Sequence, residues 1–450
     1  MREPGWGPVA GGGAGRRWPR LVAWTLAAAL TAGVTGTVAS AAFVVAAVER
    51  ERDTVVIEEL AEPPEPTSPL NILLVGSDAR DGLTAEEQAE LVLGEFEGQR
   101  ADTNILVSIS ADRSVISLVS VPRDLVVSDP NGGIAKISET YLVGRDALVR
   151  AITQDVGFPV NHYVEISITG FMNTVEAVGG IELCLEERLV DAKSGADFQP
   201  GCQELGPQEA LAYVRSRSGA LGDFERIERQ QEFLRALARR IVDGSLLLNP
   251  VRLRAVGDEV ARNVITDDGL GVDVALSLAP DLQRLVTGGL PMVTMPAYPQ
   301  DLVDIDGTTS NYVIAYQPGL DALVADVAAG RELPSRGTVE QRDETRVRLW
   351  HGGRFPAADI VASTLLYGGF RPSGSIAGEL DGGATTTVYT LPGHEEQAGF
   401  VAAHLGATVR PLPVGLAPAV GEDDGHDVIV VLGDDALPAD PSRAVAVDTP

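Results

Sequence analysis

Residues 215–231, RSRSGALGDFERIERQQ, gather Arg215, Arg217, Arg226 and Arg229 in a chain with 64 acidic and 35 basic residues and a net charge of −29. A guanidinium is a planar fork that grips carboxylate or phosphate oxygens two at a time, so such a knot suits an anion carrying several charges. Pro207 in LGPQEALAY opens a short helix running into an extended piece, in which Arg215 and Arg217 point to one face. Asp223 then reads as the N-cap of a helix from Phe224. Phe224, Ile227, Gln231, Leu234, Ala238 and Ile241 repeat at the spacing of a buried stripe, and Arg226 and Gln230 share a neighbouring face. An arginine opposes the dipole at a helix N-terminus, but it is well placed if that end faces an anion. The alternative is a solvated face on which the arginines pair with Glu225 and Glu228.

A second constellation joins acid to base. NILVSIS (104–110) and SVISLVSV (114–121) are apolar runs with β character and a short connection, hence an antiparallel hairpin. Pairing Ala111 with Ser114 around Asp112-Arg113 brings Asp102 opposite Arg123 at the open end. Asp78 lies just past the strand LNILLVG (70–76). If that strand neighbours the hairpin with the same edge, Asp78, Asp102 and Arg123 collect at one rim, where α/β sheets favour ligands. A surface ion pair of little consequence is the plainer reading of Asp102 and Arg123.

The elements that must position these groups alternate. Helical patterns at 207–214, 224–242, 271–286 and 318–329 interleave with the strands, giving a layered α/β domain over 70–330. ELPSRGTVEQRDET reads as a linker (331–345). Beyond it RVRLWHG, TTTVYTL and DVIVVLG are strands flanking helices at 356–369 and 394–405, a small α/β domain over 346–435 with a polar tail (436–450). That domain has no cluster of acids, bases or phosphate-binding residues, so removing it is expected to leave the chemistry intact. With 44% apolar residues, large cores are available.

No residue from Leu21 to Val48 is charged, and about 20 apolar residues cross a bilayer. Arg2, Arg16, Arg17 and Arg20 precede the run. The expectation is therefore a cytoplasmic tail (1–20), one transmembrane helix (21–48), an acidic, proline-rich linker (49–69), and everything that follows outside the cell. A signal peptide cleaved near Ala39-Ser40-Ala41 is the rival. Outside the cytosol Cys184 and Cys202 could close a disulfide, with two buried thiols as the alternative. The five histidines are scattered, which argues against a Cys/His zinc site. The acidic balance argues against nucleic acid.

In order and spacing, NILLVGSDAR, RADTNILVSI, SVPRDLVV, GGIAKISETYLVG, VNHYVEISITGFMNTVEAVGGIELCL, LGPQEALAYVRSR and DFERIERQQEFLRAL resemble the LytR-CpsA-Psr family of membrane-anchored cell-wall glycopolymer ligases. The resemblance spans roughly residues 70–240; the segment 346–435 looks like the C-terminal domain often attached to actinobacterial members. It implies an α-β-α catalytic domain with a mixed central sheet. It also implies a phosphotransferase that moves a glycan from a polyprenyl-pyrophosphate carrier onto peptidoglycan, with Mg2+ as cofactor and the membrane as its setting. Carried over by position, the pyrophosphate ligands are Arg123, Lys136, Arg215, Arg217, Arg226 and Gln230, and the magnesium ligands Asp78 and Asp102. Arg123 would be catalytic, with Asp124 orienting it or an incoming hydroxyl. The apolar residues of HYVEISITGFMNTVEAV are candidate walls for a lipid tail, or plain core. KISET departs from the family's more usual KINAA, and Glu139 puts a new charge near the rim. A polyprenyl-pyrophosphate hydrolase and a non-catalytic lipid- or glycan-binding protein are the competing functions.

Overall fold

β-Branched and aliphatic runs bounded by polar turns build a seven-stranded sheet: β1 (Asp53–Val55), β2 (Leu70–Ser77), β3 (Ala101–Ile109), β4 (Ile116–Val121), β5 (His162–Ile166), β6 (Val264–Asp267) and β7 (Met292–Thr294), in the order β1-β6-β5-β2-β3-β4-β7. The structure, a computed structural model, describes residues 53–436 apart from 63, 81, 95–98, 218–222, 243–249, 272–291, 304–308, 335–336, 377–382 and 414–424. The expected cytoplasmic tail, transmembrane helix and 271–286 helix lie outside the described residues, as does nearly all of the polar tail. Among the described residues no helix is long and apolar enough to cross a membrane.

The sheet is mixed. β2 is antiparallel to β3 and parallel to β5, and the β3–β4 hairpin has the expected register, Asn104 opposite Val121 through Ile109 opposite Ile116. Alternation along the strands gives the sheet two apolar faces. Leu73, Val75, Leu106 and Val119 pack on one side against Tyr141 of α2 (Ile137–Val143), Leu148 of α3 (Arg145–Ala151) and Leu320 of α8 (Gln317–Ala328). Ile72, Ile105, Ile109 and Leu118 meet Leu234 of α6 (Asp223–Val242) on the other. This is the expected helix–sheet–helix layering.

A third core joins α6 to α4 (Ile168–Val178) and α5 (Pro207–Arg215) through Val175, Val178, Tyr213, Phe233 and Ala236. It includes the paired strands Ile181–Leu185 and Gly201–Leu205, in which Cys184 and Cys202 stand opposite each other and are disulfide-bonded. Before β3, α1 (Ala85–Glu90) is a short helix with a complete capping box between Thr84 and Glu87.

The C-terminal unit is a five-stranded sheet of β8 (Arg346–Trp350), β9 (Arg371–Ile376), β10 (Thr387–Thr390), β11 (Thr408–Pro411) and β12 (Val428–Val431), ordered β9-β8-β12-β10-β11. α10 (Phe355–Tyr367) and α11 (Glu395–Leu405) pack on it. Its core does not stop at the chain segment that leads in: Tyr298 and Tyr316, from before residue 331, are buried with Val361, Phe400 and Leu405. Gly319 lies so close to α11 that an added Cβ would come within 2.6 Å of the His404 carbonyl oxygen. Between the units, α9 (Val339–Glu344) is capped by Thr338 and Gln341. A sequence of polar residues looked like a free connection because its order comes from partners distant in the chain.

Candidate active site

The C-terminal ends of β2 and β5, the start of β3 and Arg123, two residues past β4, meet at one edge of the sheet. α5 and α6 cover that edge, leaving a cavity of about 310 Å3. Its wall holds Asp78, Asp102, Arg123, Arg215, Arg217, Arg226 and Gln230 together, residues spread over more than half of the 70–330 domain's length. Ser167 and Ile168 bring the N-terminus of α4 to the same wall, with Ser167 Oγ accepting from the Gly170 N–H at 3.1 Å.

Asp102 owes its aim to a break in strand pairing. Gly76 pairs with Thr103 and Ser77 with Ala101, so the β2–β3 register skips Asp102. Bulges of this kind re-aim a side chain next to a site. The Asp102 carboxylate takes an Arg123 Nη1 hydrogen bond at 2.7 Å. Behind this edge, buried Glu165 accepts from Ser77 Oγ (3.2 Å), the Tyr141 (2.6 Å) and Tyr163 (2.8 Å) hydroxyls and Arg145 Nε (2.7 Å), which ties the end of β2 to β5 and to two helices. Burial, followed by Glu165 itself, pushes both tyrosine hydroxyls far up, so they remain donors.

A charge chain leads away from Arg123. Its Nε is 3.5 Å from Asp124, whose other oxygen is 3.3 Å from Lys136 Nζ, and Lys136 sits 5.3 Å from the centre of the Tyr312 ring. Burial alone would raise the Asp124 carboxyl. Arg123, Lys136 and Arg226 outweigh it and hold the group below the usual carboxylate range. An acid held ionised this way braces Arg123 and makes a weak proton acceptor. Neither Asp124 nor Lys136 lines the cavity; Asp124 meets the wall through Arg123 and the charge of Arg226, and Lys136 pairs with Asp124. Glu139 is turned to local work: it accepts from the Lys136 N–H at 3.3 Å at the start of α2 and lies 3.6 Å from Arg100.

The arginine segment differs from its expected shape. Arg215 is the last residue of α5 and Ser216 beyond it is extended, and Arg215 and Arg217 both reach the wall. Arg215 donates to the carbonyls of Leu91 (2.9 Å) and Val92 (3.0 Å); burial lowers its pKa against the pull of Asp102, Asp191 and Asp78. Arg217 is fixed by its backbone N–H on Asp191 at 2.8 Å. Arg226, 4% exposed, and Gln230 come from the first two turns of α6. Arg229 is the odd one out: it donates to the Ser216 carbonyl at 2.7 Å and pairs with Glu225 at 3.2 Å, tying α6 to the end of α5.

Asp78 and Asp102 are the candidate metal ligands. Burial raises the Asp78 carboxyl most; the Arg100 N–H works against this and the charge of Asp102 adds to it. Among the described residues no three His, Cys, Asp or Glu side chains group into a metal cage. Two mutually repelling carboxylates fit a hard divalent cation that takes its remaining ligands from water and phosphate.

Three charged wall residues escaped the sequence reading: Arg80, Asp191 and Lys193. Arg80, two residues past Asp78, donates to the Leu93 and Gly94 carbonyls at 3.1 and 2.8 Å. Lys193 is one of only two lysines in an arginine-rich basic set, the one signal that could have marked it.

The model of the LytR_cpsA_psr family matches residues 35–323, well over half of the chain. The chain belongs to the LytR-CpsA-Psr family. It is 34% identical over 271 residues to the cell wall biosynthesis protein LcpA of Corynebacterium glutamicum, covering 53% of this chain and 51% of LcpA. It is 28% identical over 276 residues to the polyisoprenyl-teichoic acid–peptidoglycan teichoic acid transferase TagT of Bacillus subtilis, covering 57% of this chain and 81% of TagT. The LytR-Csp2A-Psr enzyme from Actinomyces oris overlays with a TM-score of 0.49 and 23% identity, covering 62% of this chain and 96% of that one. The chain thus spans about half the length of LcpA, and the C-terminal unit lies beyond the family match. Family membership and relatives named for cell-wall biosynthesis and teichoic acid transfer make this a cell-wall glycopolymer transferase homologue of actinobacterial type.

Proposed function

We propose that this chain moves a glycopolymer from a polyprenyl-pyrophosphate carrier onto peptidoglycan as a phosphodiester, outside the cell membrane, anchored by residues 21–48. The observation that carries the reading is the convergence of Arg123, Arg215, Arg217 and Arg226 on one cavity beside Asp78 and Asp102, in a protein of net charge −29. Such a set has the chemistry of a cradle for a metal-bound pyrophosphate. The apolar wall of Leu93, Ile166, Ile168, Phe171, Leu211 and Val214 gives the first units of a lipid tail a place beside it.

In the reaction an acceptor hydroxyl oxygen bonds to the glycan-linked phosphorus. The bond from that phosphorus to polyprenyl phosphate breaks, the leaving group keeps the electron pair, and the hydroxyl proton ends on solvent. Arg215, Arg217 and Arg226 hold the phosphate oxygens, Arg123 meets the charge that grows during transfer, and Asp124 and Asp102 fix the direction of its fork. Mg2+ on Asp78 and Asp102 would neutralise phosphate charge when bound.

The purified chain, given a defined lipid-pyrophosphate glycan and peptidoglycan, should produce a phosphodiester-linked glycan detectable by mass spectrometry. Release of free glycan phosphate alone would make it a hydrolase. Binding without turnover would make it a carrier protein.

A further inference from the structure

α6 has two working faces. Arg226 and Gln230 look into the cavity, while Glu228, two residues from each, lies about 200° round the helix and looks away. Glu228 meets Arg342 of α9, Nη2 to Oε1 at 2.6 Å, and the two side chains are only 16% and 11% exposed. Arg342 Nη1 also donates to the Gly337 carbonyl at 3.3 Å. A pair this sheltered is screened far less than a surface one, and its geometry is held from both sides.

α9 is itself anchored in the C-terminal unit. Arg371 of β9 grips Asp343 through Nε and Nη2 at 2.8 and 2.6 Å, and the Arg371 N–H donates to the Thr345 carbonyl at 3.1 Å. Gly337 has a left-handed backbone (φ +78°) and sits so close to α11 that an added Cβ would fall 2.8 Å from the Phe400 ring. The chain from the C-terminal sheet to Glu228 is therefore short and continuous. Against the central sheet α6 is held by Gln231, whose Nε2 reaches Ser120 Oγ of β4 at 3.2 Å and Thr294 Oγ1 of β7 at 3.3 Å.

We infer that the C-terminal unit is a clamp on the anion-binding helix: Arg342, through Glu228, sets the position of α6 and so aims Arg226 and Gln230 at the substrate phosphates. Arg342 and Glu228 are positioning residues, and they never touch substrate. This rests on the cradle reading of the cavity. It assigns the C-terminal unit a part in substrate affinity, although none of its described residues lines the cavity.

The test is calorimetric titration of the full chain with geranylgeranyl pyrophosphate, with and without Mg2+, for wild type, Arg342→Gln, Arg342→Lys, Glu228→Gln and the double Gln variant. Lost positioning should weaken affinity by about tenfold in each single Gln variant, with close to one site per chain retained. The double variant should be no weaker than either single one, and Arg342→Lys should recover part of the loss. A merely structural role would lower the fraction of competent chains and leave the affinity of the remainder unchanged; that result overturns the clamp. Unchanged affinity in both single variants overturns it too. If Arg342→Gln does not fold, the double variant, which leaves no unpaired charge, carries the comparison through Glu228→Gln. Failure of wild type to bind the probe overturns the cradle reading itself, and the two failures are thereby told apart.

Discussion

Asp102 and Arg123 touch at 2.7 Å across the open end of the β3–β4 hairpin, and the carboxylate is the one residue that the β2–β3 register skips. Asp102 is therefore shared between a guanidinium and the place where a cation would bind. Asp102→Asn keeps the shape and removes the charge. Turnover with lipid-pyrophosphate glycan should fall by about two orders of magnitude or more, and its dependence on Mg2+ should flatten, while lipid binding partly persists. A variant with full activity and unaltered Mg2+ dependence would remove Asp102 from the chemistry.

The arginines should fail differently. Arg226→Ala deletes charge-assisted hydrogen bonds worth about 1.5–3 kcal/mol each, so pyrophosphate-lipid affinity should drop by one to two orders of magnitude even without metal. Arg217→Lys keeps the charge and loses the planar fork, and should bind measurably worse than wild type. Calorimetry reads both. If alanine at Arg215, Arg217 and Arg226 together leaves affinity unchanged, the cradle reading is wrong.

Much of this rim was legible in sequence because it follows from strand periodicity. The pairing of Ala111 with Ser114 put Asp102 opposite Arg123, and the observed register, with Asn104 opposite Val121, follows it. The aim of Asp102 was not legible, since a bulge is a property of two strands and not of either alone. Arg80 and Lys193 stayed hidden for a related reason: their roles depend on the loop at Leu91–Gly94 and on the turn after Asp191, which reach the cavity only through tertiary packing. The same holds for the C-terminal unit, whose core is completed by Tyr298 and Tyr316.

The disulfide offers a separate check. Cys184 and Cys202 close a loop with a sequence separation of 18, which in the chain-entropy model stabilises by about 3 kcal/mol. Reduction should lower the urea midpoint by a corresponding amount. Labelling of two free thiols in denatured, unreduced protein would show that the bond does not form.

Acid should weaken the fold at Asp267. Burial alone would raise this carboxyl, but His162 Nδ1 at 3.1 Å and the Tyr163 N–H at 2.9 Å outweigh it and hold the folded pKa below the ordinary value. A carboxyl lowered in this way contributes stability that is fully present above its unfolded pKa, about 3.9, and is lost as pH falls through the folded value. Urea midpoints measured from pH 6 down to pH 3 should therefore decline less steeply in Asp267→Asn than in wild type. Parallel declines would remove Asp267 from the acid response.

Truncation after residue 335 is the sharpest test of how the two units are joined. Sequence alone expects the remaining domain to keep its chemistry, because the segment beyond the linker has no cluster of acids, bases or phosphate-binding residues. The packing adds a cost in stability. Removing α10 and α11 would uncover Tyr298 and Tyr316, now 6% and 2% exposed, together with the face of α8 at Gly319. Burying one large apolar side chain is worth about 1.5–3 kcal/mol, and a domain's whole stability is about 5–15 kcal/mol. The shortened chain should thus melt well below the full one, or aggregate, with the loss appearing in stability before it appears in chemistry. Replacing both tyrosines by polar residues in the truncated chain should restore solubility without restoring the grip of Arg342 on Glu228. A truncated chain that melts with the full chain would mean that the shared core contributes nothing to the 70–330 domain.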